Sequence, residues 1–181
     1  MTLKRPIGQT LLGFGMAVAL SACGSGAPRG VPVTSYQGAS DARIVETSAH
    51  LECVPYAREA SNIQIRGDAW TWWRQAEGRY GRGNQPAIGS VLTLSRSHKI
   101  GGGHLAVVTE ILGPREIVVR HANWLNQGRI HLDTPVLDVS PANDWTLVRV
   151  WYTPGGVYGA GHYPAHGFIY PSQSQASRET S

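Results

Sequence analysis

Residues 48–62 read SAHLECVPYAREASN, and they hold Cys53, one of only two cysteines in this 181-residue chain. The stretch predicts a helix with Pro55 in its first turn, the one part of a helix where a missing N–H costs nothing. Cys53 then falls at or just before the first helical residue. Unpaired backbone N–H groups and the positive end of the helix dipole favour a thiolate there. The same place sets the residue's own N–H to bind an oxyanion. The competing reading is a buried free cysteine acting as a small apolar side chain.

Outward from this stretch, GDAWTWWRQAEGRYG (67–81) predicts a second helix, with Asp68 as N-cap and Gly78 near its end. NQPAIGS (84–90) reads as a loop. SVLTLS (90–95), GHLAVVTEIL (103–112), EIVVRHANW (116–124) and WTLVRVWY (145–152) are rich in Val, Ile and Leu and read as strands. TPGGVYGAGHYPAHGFIYP (153–171) is turn-rich, with enough aromatics to fold back onto the body. Helices first and strands afterwards predict a two-layer α+β domain over residues 44–170, with N-terminal helices packed on a small antiparallel sheet. Residues 171–181 read as a disordered tail, and no repeat is visible.

The opening MTLKRPIGQTLLGFGMAVALSAC (1–23) has a basic start, an apolar run from about Leu11 to Leu20, then small residues. A resident membrane helix takes ~20 apolar residues, so this run reads as a secretory signal peptide, residues 1–22. LSAC (20–23) resembles the lipobox of bacterial lipoproteins, which implies that Cys23 becomes the lipid-bearing first residue of the mature chain. A lipid on Cys23 rules out a disulfide with Cys53, and a leftover thiol in an oxidising compartment reads as reactive. Gly24 follows, where an aspartate commonly signals inner-membrane retention in such lipoproteins, so the resemblance points to the outer membrane. Residues 23–43 are a Gly/Ser/Pro-rich tether.

The formal net charge is +4, but Lys4 and Arg5 lie in the signal segment, leaving 14 bases against 12 acids. That balance, with no basic stripe interleaved with aromatics, excludes a nucleic-acid partner. Hydrophobic content of 41% and charged content of 15% describe a globular protein.

Cys53 needs a base, and IGGGHLAVVTEIL (100–112) puts His104 at the head of an apolar strand, after three glycines that let other backbone approach. On the next strand, alternation places Val119, His121 and Asn123 on one face. His121 or Asn123 could accept the Nδ1 proton of His104 and fix its tautomer.

LECVPYAREASNIQIRGDAWTWW, PAIGSVLTL, GHLAVVTEIL and VVRHANW, in this order and spacing, resemble the CHAP domain. This is a cysteine- and histidine-dependent amidohydrolase/peptidase module of the papain-like superfamily. The resemblance spans roughly Glu52 to Trp124. It implies a papain-like two-layer fold, Cys53 as nucleophile, His104 as base, and His121 or Asn123 in the orienting role. It also implies a peptidoglycan peptide as substrate, cut at the muramoyl–alanine amide or inside the peptide. Many family members have a carboxylate where this chain has His121, and an amide side chain where it has Glu52. Tyr56, one turn after Cys53, would line the cleft, as an aromatic there does in many members.

Trp72 reads as the exposed member of a tryptophan cluster, available to stack on a sugar, while helical spacing turns Trp70 and Trp73 to the core. Pro164 between His162 and His166 argues against a helical metal pair, and no CxxC is present, so no metal or other cofactor is expected. The reading is a lipid-anchored envelope amidase or endopeptidase, acting on the periplasmic side. An amidase for small peptide conjugates shares the chemistry. A non-catalytic lipoprotein that binds glycan or regulates another hydrolase does not. The sequence leaves oligomeric state open.

Overall fold

The computed structural model describes residues 41–171. The signal segment, Cys23, nearly all of the tether and the end of the tail lie outside the described residues. Nine strands and two short helices run in the order β1 (Arg43–Val45), α1 (Cys53–Ser61), α2 (Trp72–Gln75), β2 (Gly81–Gly83), β3 (Val91–Leu94), β4 (His104–Gly113), β5 (Glu116–Ala122), β6 (Ile130–Asp138), β7 (Leu147–Tyr152), β8 (Val157–Tyr158) and β9 (Tyr163–Tyr170).

The expected papain-like layer of helices on a small sheet is not what forms. Strands pair antiparallel in the circuit β3–β4–β5–β6–β7–β9 and back to β3, a closed six-stranded barrel within a nine-stranded sheet. Two strands that the sequence concealed close it. β6 carries Pro135 and the positive-φ residue Asp133 (49°), and β9 carries Pro164 and Gly167 at φ 120°. Proline and glycine inside a run weaken a strand's pattern, yet they are tolerated at bulges and tight bends, which closure requires. The register slips beside Thr93 in the β3–β9 pair and beyond Val119 in the β5–β6 pair.

Closure divides the apolar residues between two cores. One face of the barrel wall contributes Leu92, Leu94, Ala106, Val108, Ile117, Val119, Val136, Val148, Val150 and Phe168 to a buried cluster. The other face of β3, β4 and β9 supplies Val91, Leu105, Val107 and Ile169 to a second cluster, with Ala57, Ile63, Ile65, Ala69, Trp72 and Ala76 of the helical segment. All four residues of β3 are buried for this reason. A strand covered on both faces reads as a continuous apolar run.

The second helix is shorter than expected. Ala69–Thr71 is a 3-10 turn, α2 holds only four residues, and Asp68 makes no side-chain cap. Asp68 instead accepts from the Trp70 indole at 3.2 Å. The tighter turn advances the helical phase. Ala69, Trp72 and Ala76 therefore form the inward stripe, and Trp72 is 0% exposed. Trp72 was expected at the surface and is instead a core residue that no ligand reaches. Trp70 is the exposed one, at 36%, with Arg96 5.0 Å over its ring. Trp73 is half-buried and stacks on His166 at 5.8 Å.

Candidate active site

Cys53 is the first residue of α1, with Glu52 as an extended N-cap and Asn62 as a left-handed C-cap. His104 opens β4 opposite Leu94 of β3. It shares a face with Ala106 and Val108, so its ring sits at one end of the interior cluster. Gly103, just before it, has φ 70°, and a Cβ there would lie 2.9 Å from the Leu94 carbonyl and 3.1 Å from the Trp70 nitrogen. Of the three glycines, this is the one whose place demands glycine. The Trp70 N–H donates to the Gly102 carbonyl at 3.1 Å, docking the glycine turn on the 3-10 segment.

Cys53 and His104 line one cleft of about 630 Å³, with Glu52, Asp68, Lys99, Asn123, Trp124 and Tyr163 also in its wall. Burial pushes the Cys53 thiol above its usual range, and the Glu52 carboxylate pushes the same way. The Leu105 N–H, together with the N–H groups of Cys53 and Val54, pulls against that rise. Leu105 follows His104 directly, so the sulfur rests against the start of the strand that carries the imidazole. The helix start was expected to favour the thiolate; desolvation outweighs it, and the resting sulfur is a thiol.

His104 Nε2 lies 2.9 Å from His121 Nδ1, and both rings are buried. The nitrogen of His104 that meets its partner is thus Nε2, not the Nδ1 expected from sequence, and Nδ1 is left out of that contact. Trp124 packs its indole on both imidazoles, with ring centroids 4.9 Å from His104 and 5.4 Å from His121. Asn123 does not join them. Its backbone turns left-handed at φ 59°, its amide nitrogen donates to Glu52 Oε2 at 2.8 Å, and its oxygen accepts from the Gly128 N–H at 2.8 Å. The Leu51 N–H donates to the Gly128 carbonyl at 3.0 Å, so Asn123 clasps the 124–128 loop to the segment before α1.

Tyr56 is half-buried and is not among the residues lining the cleft; its hydroxyl feels Arg120 and Glu59. The cleft aromatics are Trp124 and Tyr163, whose rings meet at 5.0 Å, with Lys99 5.7 Å over Tyr163. Trp124 follows the quoted HAN run and had a sequence signal. Tyr163 had none, because β9 reaches the site only through barrel closure, whereas Lys99 comes from the β3–β4 loop that leads into His104.

Burial holds His104 down at about 3 and His121 well below its ordinary value. Burial, with Arg129 nearby, holds His131 at about 4. Unfolded histidine takes a proton near pH 6.5, whereas these folded imidazoles resist it. Their contribution to stability is therefore complete above pH 6.5 and is lost as pH falls from there towards 4 to 3. For His104 alone the loss at pH 5 is about 2 kcal/mol. Thermal melts should show Tm dropping between pH 7 and 5, before carboxylates titrate. A flat Tm across that window would contradict neutral buried rings.

Comparison with curated proteins gives no match. The family model that matches is the CHAP domain, over residues 45–123, a span containing Cys53, His104, His121 and Asn123 and ending before β6. The chain carries a CHAP domain, the module of a family of cell-wall hydrolases.

Proposed function

We propose that the protein is a cysteine amidase or endopeptidase that cleaves amide bonds in peptidoglycan peptides. The observation that carries this reading is the convergence of Cys53, at the first turn of α1, and His104, at the head of β4, on one cleft with His121 behind the imidazole. The depressed His104 and raised Cys53 imply a neutral resting pair. His104 Nδ1 takes the thiol proton as sulfur attacks the amide carbonyl carbon, and backbone N–H groups at the start of α1 receive the oxyanion. The C–N bond breaks as His104 gives that proton to the leaving amine. Water then adds to the thioester, losing a proton to His104, and the carboxylic acid departs as the proton returns to sulfur. Lys99, Asp68 and Glu52 in the cleft wall suit a substrate bearing both carboxylates and amines.

Mass spectrometry of the fragments released from purified peptidoglycan tests this. A new amine terminus that requires Cys53 is the expected result and names the bond. Intact wall and intact free stem peptides after incubation would sink the reading in favour of a glycan-binding or regulatory lipoprotein.

The placement that goes with this function is the envelope, on the periplasmic side, with Cys23 acylated. Covalent lipid contributes ~0.8 kcal/mol per buried CH₂, so several chains hold durably. Cys23→Ser should yield a soluble or uncleaved precursor. Wild-type protein that fractionates as soluble, without a fatty-acid mass increment, would refute the anchor.

A further inference from the structure

A third histidine stands behind the pair. His131 of β6 is the register partner of His121 of β5, both are 1% exposed, and their rings meet edge to face at 5.3 Å between centroids. His121 Nε2 and His131 Nδ1 are both buried without a hydrogen-bond partner among the described residues. An unmatched buried donor is costly. The two nitrogens do not meet in a direct hydrogen bond, and one bridging water would satisfy both.

Proton placement says which way that contact runs. The 2.9 Å bond between His104 Nε2 and His121 Nδ1 holds one hydrogen. If His121 Nδ1 carries it, neutral His104 carries its own on Nδ1 and has no lone pair for a thiol. If His104 Nε2 carries it, His104 Nδ1 keeps a free lone pair, and neutral His121 must carry its hydrogen on Nε2. Only this second arrangement puts a donor at the orphaned His121 Nε2, and it then needs an acceptor. Through the water, His131 Nδ1 is that acceptor when His131 is neutral and protonated on Nε2.

We infer that His131 is a positioning residue whose Nδ1 is joined to His121 Nε2–H through one bridging water, and so holds His121 and His104 in the tautomers that make His104 a base. The relay runs across three adjacent strands, β4, β5 and β6. Its catalytic half rests on the function proposed above; its tautomeric half does not. The three rings are no metal cage, since His104 and His121 turn their facing nitrogens on each other, and no metal-holding cluster occurs among the described residues.

Nitrogen-15 NMR of the histidine rings in the full-length chain, with kinetics on peptidoglycan fragments, tests the inference. In wild type, His121 should be protonated on Nε2 and His131 bare on Nδ1. His131→Leu should shift His121 towards the Nδ1–H form and lower kcat about tenfold or more, with KM within about twofold. His131→Asn places an oxygen near the lost Nδ1 and should restore both. Wild-type His121 protonated on Nδ1 overturns the inference, as does a His131→Leu protein with unchanged tautomer and kcat. A fall in kcat without tautomer change, or one that Asn fails to restore, marks a merely structural role and overturns it too. If His131→Leu does not fold, the wild-type and His131→Asn spectra decide. A chain that hydrolyses nothing removes the proposed function, while the wild-type spectrum still judges the relay.

Discussion

Cys53→Ala and His104→Ala are each expected to abolish hydrolysis of peptidoglycan peptides, with kcat falling by about 10⁴-fold or more. The two losses should not add in the double variant, because a nucleophile without its base and a base without its nucleophile are equally idle. The resting state sharpens this expectation. With Cys53 raised and His104 held at about 3, the proposed mechanism requires sulfur to pass its proton to the imidazole at the moment of attack. Alkylation of wild-type Cys53 by iodoacetamide should accordingly be slow at pH 6 and rise above the range of a model thiol. His104→Ala should remove activity without changing the fold, as judged by circular dichroism. Retention of more than about a hundredth of wild-type kcat in either variant would refute the assigned roles.

His121→Ala should cost roughly two powers of ten less than loss of the nucleophile, since a group that only orients the base contributes less. It should still cost far more in kcat than Asn123→Ala. The reason is positional: His121 Nδ1 meets His104 Nε2, whereas Asn123 holds Glu52 and the Gly128 N–H. Asn123→Ala should appear instead as lost stability. Alanine resists the left-handed φ of 59° at a cost of about 1 kcal/mol, and the clasp on the 124–128 loop goes with the amide. His121→Glu should keep more activity than His121→Ala, because a carboxylate accepts the same bond and raises the His104 pKa. A pH–rate profile for His121→Glu should therefore lose its acid limb at higher pH than wild type does. Should Asn123→Ala prove the more damaging change to kcat, with Tm unaltered, the partner of His104 would be Asn123.

The start of α1 at Cys53, the head of β4 at His104 and the strand bearing His121 were legible because each is a local signal. Pro55 is tolerated only near a helix start, and an apolar run after glycines announces a strand. With those elements came the resemblance to the CHAP domain, which the match over residues 45–123 bears out. Barrel closure was not legible. β6 and β9 carry Pro135, Pro164 and Gly167, which weaken a strand pattern over a few residues, and only pairing with β5, β7 and β3 makes them strands. Trp72 was misjudged because a 3-10 turn reads like a helix in sequence but shifts every later side chain in phase.

The chemistry of the site divides along the same line. The residues proposed as nucleophile, base and orienting group could be read along the chain, because each proposal depends on a side chain and its nearest neighbours in sequence. Tertiary structure alone decided that desolvation outweighs the helix start at Cys53, that His104 uses Nε2, and that Asn123 serves a loop. It also brought Tyr163 and His131 to the site from strands that sequence reading had not found. Burial and proton placement depend on what packs around a group, and here those neighbours arrive from strands that are far away along the chain.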